Sequence, residues 1–183
     1  MKYLDDSHAG TKRAAVEGVR VRKITSALQK LKFLVQYRDV KVRRAVFHAI
    51  YELAGVAGWD TFFQIWQAAL YDTDPEVKIW VTRSISQKRD PRVPSLLDPL
   101  VTDMSKEVQL EALKALGGSG QPSAVEYIAN GLMDQKKEVK LAALIALETL
   151  NVEAGKKPIM EFVKNEADKD LVARANEVFD KLP

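Results

Sequence analysis

Three kinds of side chain in this sequence could do chemistry. The first is a recurring acid. Asp72 and Asp74 flank a threonine in "YDTDPEVK", and Asp39, Asp103, Asp134, Glu166 and Asp168 stand in comparable places along the chain. Paired carboxylates can hold a hard cation or act as general acid and base. The second is histidine, present only as His8 and His48, with no serine and aspartate arranged around either as a nucleophilic triad. Cysteine is absent, which removes thiolate nucleophiles, thiolate metal sites and disulfides. The third is a group of arginines and aromatics suited to recognition rather than to bond making. The glycine-rich "GGSG" at 117–120 follows a helical run, not a strand, and reads as a helix end instead of a phosphate loop. No catalytic, cofactor-binding or metal-binding residue is assigned.

The elements around the acids explain them. Val77, Val81, Ser84 and Ile85 lie at offsets 0, 4, 7 and 8 and share one helical face. The same pattern starts at Val42, Val108 and Val139, more weakly at Leu171, and in truncated form at Thr11, so the anchors are 31, 35, 31, 31 and 32 residues apart. Ahead of each acid lies a second apolar-periodic run, such as Leu28–Leu31–Leu34–Val35, Phe62–Phe63–Trp66–Ala69–Leu70 or Val93–Leu96–Leu97–Leu100. Breakers separate the units at 54–60, 88–94, 117–123 and 151–158. Each unit is therefore helix, short acidic turn, helix, breaker, and the acids are expected to cap the second helix. The period is that of a solenoid in which stacked helix pairs share a continuous core. The expected fold is all-α, an α-α superhelix of about five helix pairs plus an N-terminal half-repeat, forming one domain over residues 1–183.

The stretches "DVKVRRAVFHAI", "DTDPEVKIWVTRSI", "DMSKEVQLEALKAL" and "DQKKEVKLAALIAL" carry an acidic turn, then Val-Lys/Arg/Gln, then small residues at fixed spacing. This pattern resembles the HEAT-like repeats of the phycobilisome-lyase type over essentially the whole chain. The resemblance implies a fold far more strongly than a task. Deoxyhypusine hydroxylases of this repeat class bind iron through His-Glu pairs, and no such dipeptide occurs here. Bilin lyases share the repeat, but no residue demands a tetrapyrrole. DNA glycosylases built on similar repeats use aromatics and basic residues, which Trp59, Trp66, Trp80 and the basic N-terminal half match only loosely.

In such repeats the second helices line the inner surface. Offsets 2, 6 and 9 point away from the core pattern and place Arg13, Arg44, His48, Tyr51, Ile79, Arg83, Leu110 and Gly117 outward. The first seven form the expected partner-binding ridge. The tryptophans are read as core or inter-helix filler, and 20–33, "RVRKITSALQKLKF", as basic residues flanking an amphipathic helix.

Net charge is +3, but residues 1–60 hold 12 Lys or Arg against 6 Asp or Glu, a balance of 12 − 6 = +6. The expected function is a noncatalytic adaptor or scaffold whose ridge binds a protein partner with an acidic surface or peptide. Two other readings stay open: nucleic-acid binding through the basic half, and a phycobilisome-associated, bilin-lyase-like role. No run is apolar enough to span a bilayer and the start lacks a signal-peptide core, so a cytoplasmic location is expected. The segment before Thr11 is too short for a full first helix. That end is expected to be frayed or covered by a partner, a second copy or an upstream segment.

Overall fold

The computed structural model describes residues 2–54, 59–86 and 90–183, without the side chains of 54 and 59–62. The middle of the "AGVAGWD" breaker, the side chains of Trp59 and Phe62, and residues 88 and 89 of the next breaker lie outside the described residues. Eleven α-helices are present and no strand occurs among the described residues. No helix among them is long and apolar enough to cross a membrane. The chain divides into two compact units, Met1–Ile85 and Ser86–Pro183.

In the first unit a single 3-10 turn, Lys2–Asp5, precedes α1 (Ala9–Val21). The short segment before Thr11 thus forms no full helix, yet its Leu4 is buried and the Leu4 carbonyl accepts a 2.7 Å bond from buried Lys12 Nζ. The amphipathic helix expected within 20–33 is only a single α-turn bordered by 3-10 turns. α1 stops where Lys23 takes a left-handed φ of 52°. There Lys23 N–H donates to Arg20 O and Ile24 N–H to Val19 O, both at 3.0 Å, the paired closing bonds of a Schellman turn. Beyond it the chain runs as 3-10 turns on either side of one α-turn, α2 (Leu28–Leu31). Leu31 and Leu34 are still buried, so the apolar spacing holds although the helix is not continuous. Then come α3 (Val40–Ala54), α4 (Trp59–Ala69) and α5 (Pro75–Ser86).

The second unit contains α6 (Val93–Val101), α7 (Lys106–Gly118), α8 (Ala124–Leu132), α9 (Lys137–Leu150), α10 (Lys156–Asn165) and α11 (Lys169–Lys181). Second helices pack side by side, α7 on α9 and α9 on α11, and the first helices α6 and α8 pack likewise.

The four core offsets are buried in α3, α5, α7 and α9 alike. A fifth core position was not anticipated. Offset 5 carries Phe47, Leu113 and Leu144, all at most 1% exposed. Leu113 explains why: a Cβ on Gly131 of α8 would come within 2.9 Å of its Cδ2, so this position packs against the first helix of the following repeat.

The acids do cap helices, but only some of them. Asp39 Oδ1 accepts from Val42 N–H at 3.1 Å, Asp74 Oδ1 from Val77 N–H at 3.1 Å, and Asp168 Oδ1 from Leu171 N–H at 3.2 Å. In the α7 repeat Ser105 is the cap instead. Asp72, Asp103, Asp134 and Glu166 sit one step earlier and hold the turn, each accepting the N–H two residues on.

A second function of these acids joins consecutive repeats within each unit. Arg43, at offset 1 of α3, donates to both oxygens of Asp72 at 2.8 and 3.0 Å and to Tyr37 O at 3.0 Å. Gln109 Nε2, at the same offset of α7, donates to Asp134 Oδ2 at 2.7 Å and to Val101 O at 3.0 Å. Lys140 Nζ of α9 donates to Glu166 Oε2 at 2.5 Å.

Gly117 corrects one outward assignment. It belongs to α7, is buried, and a Cβ there would lie 2.8 Å from the Ala146 Cα and carbonyl oxygen of α9. Gly118, its neighbour, has nothing within 4 Å. Gly117→Ala is therefore expected to destabilise by about 1–3 kcal/mol through overpacking against backbone. Gly118→Ala should be neutral or stabilising by up to about 1 kcal/mol through helix propensity. Urea denaturation of the two variants checks this; equal effects would mean that α7 and α9 do not approach so closely.

Candidate interaction surface on the first unit

Arg13 on α1, Arg44 and His48 on α3, and Trp80 on α5 line one trough of about 540 Å³. The repeat spacing builds it. Offset 3 is alanine in two successive second helices, Ala14 and Ala45, and both face the trough. In α5 the same offset carries Trp80, whose ring closes the far side.

Trp80 gathers the expected ridge around itself. The His48 ring stacks on it with centroids 4.0 Å apart and planes 13° from parallel. Tyr51 meets it tilted at 48° with centroids 5.5 Å apart. The Arg83 guanidinium lies 5.1 Å from the Trp80 ring centroid, within cation–π range. All four side chains are half-buried. Trp80 is thus inter-helix filler, half-buried between α5 and α3, whereas Trp66 is core, 2% exposed. The signal was a bulky aromatic at an offset filled by alanine in three other repeats, at Ala14, Ala45 and Ala142.

Charge on this surface is mostly committed. Arg44 Nε and Nη2 grip Asp74 at 2.9 and 2.6 Å, and Nη1 meets Glu76 at 2.6 Å. Hydrogen bonding to Asp74 holds the Arg44 guanidinium above its ordinary pKa. Burial opposes ionisation of Asp74, yet the Arg44 bonds and the Val77 N–H outweigh it and hold the carboxyl below its usual range. Arg20 donates to Glu17 and Glu52, and His48 Nε2 lies 2.8 Å from Glu52 Oε1. Arg13 is exposed and makes no ion pair among the described residues.

The other two ridge residues stand apart. Ile79 is half-buried on α5 and does not line the trough. Leu110 belongs to the second unit, half-buried on α7. Beside it on α9, Leu141 and Ile145 are 37% and 47% exposed.

Asp74 joins a cap to a two-pronged ion pair, so Asp74→Asn is expected to cost about 1.5–3 kcal/mol. The sign with pH follows from the depressed folded-state pKa. The carboxylate's contribution is complete above the unfolded value of about 4 and is lost as pH falls through the lower folded value. Denaturation of wild type and variant across that range should show the difference shrinking toward acid; a constant difference would place the effect in packing alone.

The comparisons agree with this architecture. HEAT repeats match residues 63–148 and 93–179. No curated protein sequence matches the chain. Among solved structures, a designed armadillo repeat protein in complex with the peptide (KR)4 aligns at TM-score 0.69 and 16% identity, over 100% of this chain and 97% of that one. Mini spindles TOG3 of Drosophila melanogaster aligns at 0.60 and 17%, over 99% and 92%. The complex of CpcE and CpcF of phycocyanin lyase from Nostoc sp. PCC7120 aligns at 0.57 and 19%, over 84% and 98%. At these identities the solved structures speak for the fold alone. With acidic turns, paired helices and a sequence match over more than half its length, the chain belongs to the HEAT repeat family.

Proposed function

We propose that this protein is a noncatalytic scaffold that binds an acidic protein segment along the second-helix ridge of its first unit. The observation that carries the reading is the half-exposed Trp80–His48–Tyr51–Arg83 cluster beside a trough whose Arg13 lacks an ion pair. Trp, Tyr and Arg are the side chains that most often anchor interfaces, because each couples large contact area to a polar tip. The basic balance of the N-terminal third favours encounter with an acidic partner. Similar folds in other proteins are found in complex with the peptide (KR)4, in the designed armadillo repeat protein, and with another subunit, in CpcE–CpcF. The HEAT match at 63–148 runs through residue 85, which supports treating residues 1–183 as one repeat domain.

Arg44 belongs to the fold as much as to the ridge, so the informative substitutions are Arg13→Glu, Tyr51→Ala and Trp80→Ala. Fluorescence anisotropy with a labelled Glu/Asp-rich peptide should show each weakening binding by about tenfold or more, with the helical circular-dichroism signal retained. Tighter binding to duplex or single-stranded DNA, falling steeply with salt, would favour the nucleic-acid reading instead. A tetrapyrrole absorbance band in protein purified from its native source would favour the lyase-like one.

A further inference from the structure

We infer that Glu76 occupies the anion position of the trough and competes there with the acidic side chain of the partner. The inference rests on the acidic-partner reading above. Arg44 divides its guanidinium between two carboxylates that differ in whether they can be exchanged. Asp74 is 10% exposed, takes two of the three donor positions, and also caps α5 through Val77 N–H. Releasing it would break a helix start and leave a buried charge unpaired. Glu76 is 48% exposed, holds only Nη1, and makes no other ion pair or side-chain hydrogen bond among the described residues. An exposed pair of that kind is weak, and a carboxylate that swings from it into water loses little.

The place Glu76 holds is also the place an incoming carboxylate would seek. Glu76 lines the trough together with Arg13, which makes no ion pair among the described residues and interacts only at longer range with Glu17, itself bonded to Arg20. An acidic side chain entering between Ala14 and Ala45 would meet Arg13 and Arg44 Nη1 together. It could do so only by displacing Glu76, against like-charge repulsion. Glu76 therefore offsets positive charge at Arg44 in the empty trough and lowers its affinity for acidic segments.

The test is anisotropy titration of a fluorescein-labelled Glu/Asp-rich peptide against wild type, Glu76→Gln and Glu153→Gln. Glu153 is exposed in the second unit, and its replacement changes net charge equally. The expected result is binding about two- to five-fold tighter for Glu76→Gln, no change for Glu153→Gln, and loss of the gain when Arg13→Gln is added. Equal tightening in both single variants would reduce the effect to net charge and overturn the inference. So would unchanged or weaker binding by Glu76→Gln, although wild-type binding would then leave the acidic-partner reading in place. Binding by none of the proteins would remove that reading and the inference with it.

Discussion

The structure depends on one polar link between repeats. A long side chain one residue past the anchor of a second helix reaches the acidic turn of the next repeat. In Arg43 and Gln109 the same side chain also satisfies a carbonyl at the end of its own repeat's first helix or turn. The receiving acid uses its second capacity to hold the turn it belongs to, as Asp72, Asp134 and Glu166 show. Apolar stacking is non-directional and would tolerate sliding of one helix pair over another. A charge-assisted bond with fixed geometry does not. The link therefore sets the register in which the apolar faces meet, and the close approach of Gly117 to the α9 backbone requires that register.

The interaction surface inherits its shape from this constraint. Arg43 and Arg44 both reach forward to the acids before α5, one to Asp72 and the other to Asp74. With α3 and α5 tied at their N-terminal ends, His48 lies flat against Trp80 one turn further along. The carboxylates that looked like candidates for metal binding or acid–base work are thus engaged with backbone N–H groups and cations. What remains for recognition is the aromatic cluster, Arg13 and the replaceable half of the Arg44 pairing.

Much of this was legible in the sequence because period and spacing are carried by residue type. The anchors, the four core offsets and the capping role of Asp39, Asp74 and Asp168 follow from counting along the chain. The break after α1 was not legible, because Lys23 adopts a left-handed φ with no glycine or asparagine to announce it. Offset 5 escaped because its burial comes from the following repeat, which a single amphipathic face does not reveal. Gly117 escaped for the same reason. For the surface, Arg13 is exposed and Arg44, His48, Tyr51 and Arg83 are half-buried, turned from the core as their offsets imply. Spacing alone could not tell that Arg44 is tied up by Asp74, or that Trp80 joins the ridge from an offset where the two preceding repeats carry alanine.

The polar link, and not apolar stacking alone, holds consecutive repeats in register. A double-mutant cycle on Arg43 and Asp72, whose side chains are 14% and 12% exposed, tests it most directly. Arg43→Met, Asp72→Asn and the double variant are compared by urea denaturation. The account predicts a coupling energy of about 1–3 kcal/mol between the two sites. Strictly additive effects, within about 0.3 kcal/mol, would contradict it.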